Sequence, residues 1–170
     1  MKNLNRLFLT ELGICFSSEA RLGPALFRMA ETTASLGLKR LIRLHGQESE
    51  WNVKHLEGIF EACGEKARGK RCEAIAGILA DGEKLTAGLG RSPIFDAALI
   101  AIARKIGHWQ IASYASLGEW ADLLAYGEVA EVLNGILDKK KAMGKSLAAI
   151  ARSQGHPEGP EKPRVKKVAG

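Results

Sequence analysis

Residues 96–142 read DAALIAIARKIGHWQIASYASLGEWADLLAYGEVAEVLNGILDKKKA, two long helices joined by a tight turn at Tyr126–Gly127. Ala, Leu, Glu and Lys dominate, and alternating or β-branched patterns are scarce, so the stretch reads as helix throughout. So short a turn forces the two helices antiparallel. The second helix places Val129, Leu133, Ile136, Leu147 and Ile150 at the spacing of one buried face. Lys140 falls on that same face, where a leucine or a metal-binding carboxylate is expected. A buried charge is costly unless it is paired or bound to metal.

Outward from this hairpin, the rest of the chain is also helical. A first helix is predicted from Asn3 to Thr33, its stripe running Phe8, Leu12, Cys15, Glu19, Leu22, Leu26 and Met29. Pro24 predicts a kink or a break in it. A second helix is predicted from Leu36 to Cys63, with Leu41, His45, Glu48, Asn52, Leu56 and Ile59 on one face. Glu19 and Glu48 thus interrupt apolar stripes as Lys140 does. The basic, Gly-containing run GEKARGKR (64–71) ends the second helix. A shorter helix from Cys72 to Ala87 carries Ile75, Ile78, Leu79 and Leu85, and the loop GLGRSP follows. Ser92 is placed as an N-cap with Pro93 at the first helical position. The next helix runs from there to Leu124, and the last ends near Arg152. The fold expected is all-α: a four-helix bundle of the ferritin-like kind, with a short extra helix in the crossover between helices two and three. The bundle domain spans 1–152 and a tail spans 153–170.

At 170 residues, with 46% hydrophobic content, the chain can bury one sizeable core. No apolar run is long enough to span a membrane, and the N-terminus lacks a secretory signal pattern. Cys15, Cys63 and Cys72 make an odd number without metal-type spacing, which favours reduced thiols and a cytoplasmic location over a Cys63–Cys72 disulfide. The net charge is +6, and from Gly155 onward the tail holds four Lys/Arg against two Asp/Glu and three of the five prolines. Such a segment is expected to be disordered. Its RVKK end is a weak ligand for nucleic acid, and a solubilising role is the simpler reading.

Residues 96–142, together with FSSEARLGPAL (16–26) and RCEAIAGILADGEKL (71–85), resemble the YciE/YciF family of ferritin-like proteins. The resemblance covers about Leu4 to Ala151. It implies membership of a stress-associated bacterial family, a homodimer packed through helix faces, and a cluster of carboxylates inside the bundle of the kind that holds two irons. About four carboxylates from four facing helices, often with a histidine, make such a centre. Carried over position by position, Glu19, Glu48 and His45 are kept, and Asn52 stands where relatives often have His or Gln. In the third long helix, relatives read Glu-His-Tyr-Glu-Ile where this chain has GHWQI, so acids are replaced by Gly107 and Gln110. In the fourth, Glu-Glu-Lys becomes KKK (139–141), and the acid one turn later becomes Gly144.

Iron pairs require hard anionic oxygen donors, and an ammonium among them repels the cation. The expectation is that Lys140 replaces the di-metal centre and bridges Glu19 and Glu48, with Gln110, Asn52 and His45 supplying hydrogen bonds. The plain alternative is that Lys140 snorkels to the surface. No catalytic, cofactor-binding or metal-ligating residue is assigned. His55 and His108 read as solvated or packed side chains, Ser113 and Ser116 lack a base and acid nearby, and GLGR (88–91) follows no strand and so is no nucleotide fingerprint. Trp51, Trp109 and Trp120 are expected to pack.

The functional expectation is a non-enzymatic, metal-free bundle acting by self-association or partner binding. Phe27, Leu38, Phe60, Phe95 and Trp120 are candidates for its interface. The alternative is a di-iron oxidoreductase or metal-storage protein with an altered site built from Glu19, Glu48, Glu50, His45 and Asp138. DNA protection through the tail is a third, weaker reading.

Overall fold

A computed structural model describes residues 3–153. The tail expected to be disordered lies, from residue 154 on, outside them. Five helices follow one another: α1 (Leu4–Thr32), α2 (Leu36–Ala62), α3 (Glu73–Thr86), α4 (Pro93–Leu123) and α5 (Gly127–Ser153). The architecture is a four-helix bundle with α3 in the crossover between α2 and α4, and the expected boundaries are met to within a residue.

Local chemistry fixes those boundaries. Asn3, Ser35 and Ser92 each cap a helix, their side chains accepting from the backbone N–H of Arg6, Leu38 and Phe95. Pro93 opens α4 behind Ser92. Cys72 caps α3 through its sulfur, which accepts from the Ile75 N–H. Ala125, at φ 59°, makes the tight reversal between α4 and α5. Pro24 does not break α1, which is helical on both sides of it. Its exposed position, with an equally exposed Ala20 one turn earlier, leaves the orphaned carbonyl facing water.

Two antiparallel hairpins, α1–α2 and α4–α5, pack with α1 against α4 and α2 against α5. Glycines let the helices approach closely: a Cβ on Gly46 would meet the Phe27 ring at 3.1 Å, and one on Gly118 would meet the Asn134 amide at 2.7 Å. Because α2 and α4 run in the same direction, the chain must return along the bundle between them. Residues 63–92 make that return. They are held to α1 by the Lys70 N–H bonding the Gly13 carbonyl at 2.8 Å and by the Ser17 hydroxyl bonding the Lys70 carbonyl.

The buried side chains form two apolar clusters. One gathers Phe8, Leu12, Leu56, Ile59, Leu117 and Leu133 at one end of the bundle. The other gathers Leu22, Leu26, Leu38, Ile42, Ile106 and Leu147 at the opposite end. Two residues expected at an interface, Leu38 and Phe60, belong to these clusters and are buried. Helical spacing alone does not separate an inner stripe from an outer one. Phe27, Phe95 and Trp120 are half-buried. Trp51, expected to pack, is 53% exposed on α2, whereas Trp109 and Trp120 do pack on the core. All three cysteines are free thiols. No helix among the described residues is long and apolar enough to cross a membrane.

Candidate functional site

Between the two apolar clusters the four long helices turn polar residues inward at one level. Glu19 comes from α1, His45, Glu48, Ser49 and Asn52 from α2, Gln110 and Tyr114 from α4, and Lys140 from α5. The positions follow from the stripes. His45, Glu48, Ser49 and Asn52 are spaced by three and four along α2, as Gln110 and Tyr114 are along α4, so each set lies on one helix face.

Lys140 is 1% exposed and does not reach the surface. Its Nζ lies 3.7 Å from Glu19 Oε1 and 4.0 Å from Glu48 Oε2. The expected bridge between the two acids is therefore present in the geometry, at ion-pair rather than hydrogen-bond distances. Glu19 is also the focus of the donors. Asn52 Nδ2 donates to its Oε1 at 3.2 Å, the Tyr114 hydroxyl to the same oxygen at 2.8 Å, and Gln110 Nε2 to both oxygens at 3.0 Å. His45 Nε2 bonds Gln110 Oε1 at 2.7 Å. Since Gln110 Oε1 can only accept, the histidine carries its proton on Nε2 and leaves Nδ1 as an acceptor.

One part of the expectation is corrected. Gln110 and Asn52 satisfy Glu19, but no described residue hydrogen-bonds the ammonium, and His45 bonds Gln110 rather than a charge. Among the described residues, Lys140 Nζ, Glu48 Oε2, His45 Nδ1 and Ser49 Oγ have no hydrogen-bond partner. Tyr114 was not anticipated as a donor. Its place one turn beyond Gln110 on the inner face of α4 is the signal that would have found it.

Burial and neighbouring charge set the titration of the cluster. His45 is pushed down from 6.5 to about 4, first by burial and then by the Lys140 ammonium, against the pull of Gln110 and Glu19. It is neutral at pH 7. Burial raises the pKa of Glu48, opposed by Lys140 and Lys139. Burial and then the Glu19 carboxylate raise the Tyr114 phenol well above its usual value, so it acts only as a hydrogen-bond donor. Cys15 is raised well above a usual thiol by burial and by Glu11 and Glu19, so it is not a reactive thiolate.

The other candidates do not join this site. Glu50 and Asp138 are exposed, and Asp138 stands 3.8 Å from Lys141. His55 and His108 are exposed. Gly107 is buried and Gly144 half-buried, and a Cβ at either would meet nothing within 4 Å, so there is room where the resemblance places acids. The Ser116 hydroxyl bonds the Ala112 carbonyl. Among the described residues, no group of three or more His, Cys, Asp or Glu side chains is arranged to hold a metal ion. The residues present do not fit a pair of irons. Both Glu19 oxygens are engaged by amide and phenol donors, and a fixed ammonium stands between the two acids of this cluster. A second buried acid, Asp96, is structural: it accepts from the Thr33 hydroxyl and the Ser35 N–H, tying the α1–α2 corner to the start of α4.

A four-helix bundle whose waist carries an internal charge cluster is the class that fold and site define. The chain belongs to the family of the domain of unknown function DUF892, whose profile matches residues 3–158. It is 28% identical over 152 residues to Protein YciF of Escherichia coli K12, covering 89% of this chain and 92% of that protein. The crystal structure of YciF, described as an E. coli stress protein, superposes with a TM-score of 0.86 over 91% of this chain and 98% of that one, at 28% identity. YcfI of Rhodopseudomonas palustris superposes with a TM-score of 0.83 over 86% of this chain and 94% of that one, at 26% identity. A Xanthomonas campestris protein at 18% identity, TM-score 0.68, shares the fold.

Proposed function

We propose that this protein is a metal-free, non-enzymatic bundle of the ferritin-like kind, in which Lys140 replaces the di-metal centre and the molecule acts by self-association, as a homodimer, or by binding a partner. The observation that carries the reading is the Lys140 ammonium lying between Glu19 and Glu48 with no exposure to water. A fixed cation supplies the positive charge that two facing carboxylates require, and it does so without a metal. The engaged oxygens of Glu19 and a non-nucleophilic Cys15 support the absence of chemistry at this waist. Leu44 and Trp51, 42% and 53% exposed and seven residues apart on one face of α2, support association. The likeness to YciF supports a stress-related role, and the free thiols suit the cytoplasm.

Elemental analysis after aerobic iron loading tests the reading. Less than about a tenth of an iron per chain is expected. About two irons per chain, the stoichiometry of a working four-carboxylate centre, would overturn it in favour of a di-iron oxidoreductase or store.

A further inference from the structure

A groove of about 360 Å³ lies between α1, α3 and α4, and it shares no residue with the buried charge cluster. It exists because α3 settles on α4 and not on α1. Gly82 lets the two helices approach closely, since a Cβ there would meet the Ile102 side chain at 3.0 Å. The floor is apolar, with Met29, Leu79, Phe95 and Leu99 among its lining. The two threonines on its edge offer no free donor to a ligand: the Thr32 hydroxyl bonds the Met29 carbonyl, and that of Thr86 the Gly82 carbonyl. The polar groups left on the rim are therefore charged ones, Arg21 and Arg28 on α1 and Glu83 on α3. Arg21 and Arg28 are seven residues apart and lie on one face of α1. Both are exposed, and neither forms an ion pair among the described residues.

We propose that this groove binds a small amphipathic monoanion, an aliphatic carboxylate of medium chain length. An apolar floor beneath two guanidiniums matches a hydrocarbon chain ending in a carboxylate, which a guanidinium takes in paired hydrogen bonds. The volume falls at the small end of ligand pockets, which run from about 300 to about 1,000 Å³, and so favours a medium over a long chain. Two bases against one acid leave a single net positive charge on the rim, and Glu83 repels a second anionic group, so a monoanion is favoured over a dianion.

Titration of the full-length, isotope-labelled protein with decanoate, followed by NMR, tests the assignment. Saturable shifts are expected for the amides of Ala76–Glu83 and of Met29. The doubly reversed variant Arg21→Glu, Arg28→Glu should weaken binding at least about tenfold, the factor for losing a charge-assisted contact. Decanol should bind more weakly than decanoate by a similar factor. Ala76→Trp, at a half-exposed position lining the groove, should block decanoate. Thermal melts of all variants should match the parent, which separates lost binding from lost folding. Equal binding of decanol and decanoate, shifts scattered over the bundle, or undiminished binding by Ala76→Trp would each overturn the proposal. So would a groove that ignores decanoate and takes an acidic amphipathic helix instead.

Discussion

The two ends of the bundle and its waist are built on opposite rules. At the ends, Phe8, Leu12, Leu56 and Leu133 on one side and Leu22, Leu26, Leu38 and Leu147 on the other contribute by leaving water, and each depends only weakly on any particular neighbour's identity. At the waist, Glu19, Gln110, Asn52, Tyr114 and Lys140 are each tolerable only because specific partners are present. Removing one apolar residue leaves a hole. Removing one charge leaves its partner stranded in a low-dielectric interior.

Substitutions at the two regions should separate these rules. Lys140→Met should have the largest effect, about 4 kcal/mol in denaturant unfolding, because Glu19 and Glu48 then face each other without a cation. Leu133→Ala, in an apolar end, should lower stability by about 3 kcal/mol through lost transfer energy and a cavity. If the two effects are reversed in order, the waist is softer than its geometry implies.

Acid should weaken the waist in particular. His45 takes its proton at 6.5 in the unfolded chain but only at about 4 in the fold, so stability falls as pH drops below 6.5 and the loss levels off below about 4. That gap of 2.5 between the two values corresponds to about 3 kcal/mol at full effect, on the order of 1.4 for each tenfold change. Glu48 acts the other way. Its raised pKa makes protonation easier in the fold than in the unfolded chain, so acid favours the folded state there and reduces the net loss. His45→Gln should flatten the melting-temperature profile between pH 6.5 and 4, and an unchanged profile would assign the acid response elsewhere. The smallest effect belongs to Tyr114→Phe. It removes a single donor to Glu19 and should lower stability by about 2 kcal/mol, a hydrogen bond to a charged acceptor.

The same contrast explains what could be read from the chain. Ser92–Pro93, the Tyr126–Gly127 turn and the stripes at three- and four-residue spacing carry the helix boundaries, because capping and periodicity are local. Lys140, Glu19 and Glu48 stood out because a charge on an apolar stripe is a local anomaly too. Pro24 left open whether the helix continues, since tolerance of the missing N–H depends on whether Ala20 faces water, which no spacing records. Leu38, Phe60 and Trp51 misled for a related reason. Which face of an amphipathic helix turns inward is settled by its neighbours, and only the fold places Leu38 inside and Trp51 outside. The waist was legible in its charges but not in its donors. The Tyr114–Glu19 contact joins α4 to α1 across 95 positions and the Gln110–His45 contact joins α4 to α2 across 65, so both meet only in three dimensions.

The most direct test is a double-mutant cycle on Glu19 and Lys140, using Glu19→Gln, Lys140→Met and the two together, with unfolding free energies at pH 7. If Lys140 stands in the bundle as the counter-charge to Glu19, the double variant should be more stable than the sum of the single losses predicts, by about 1–3 kcal/mol. Losses that simply add, to within about 0.5 kcal/mol, would show that the ammonium makes no specific pair with Glu19 and would contradict the account.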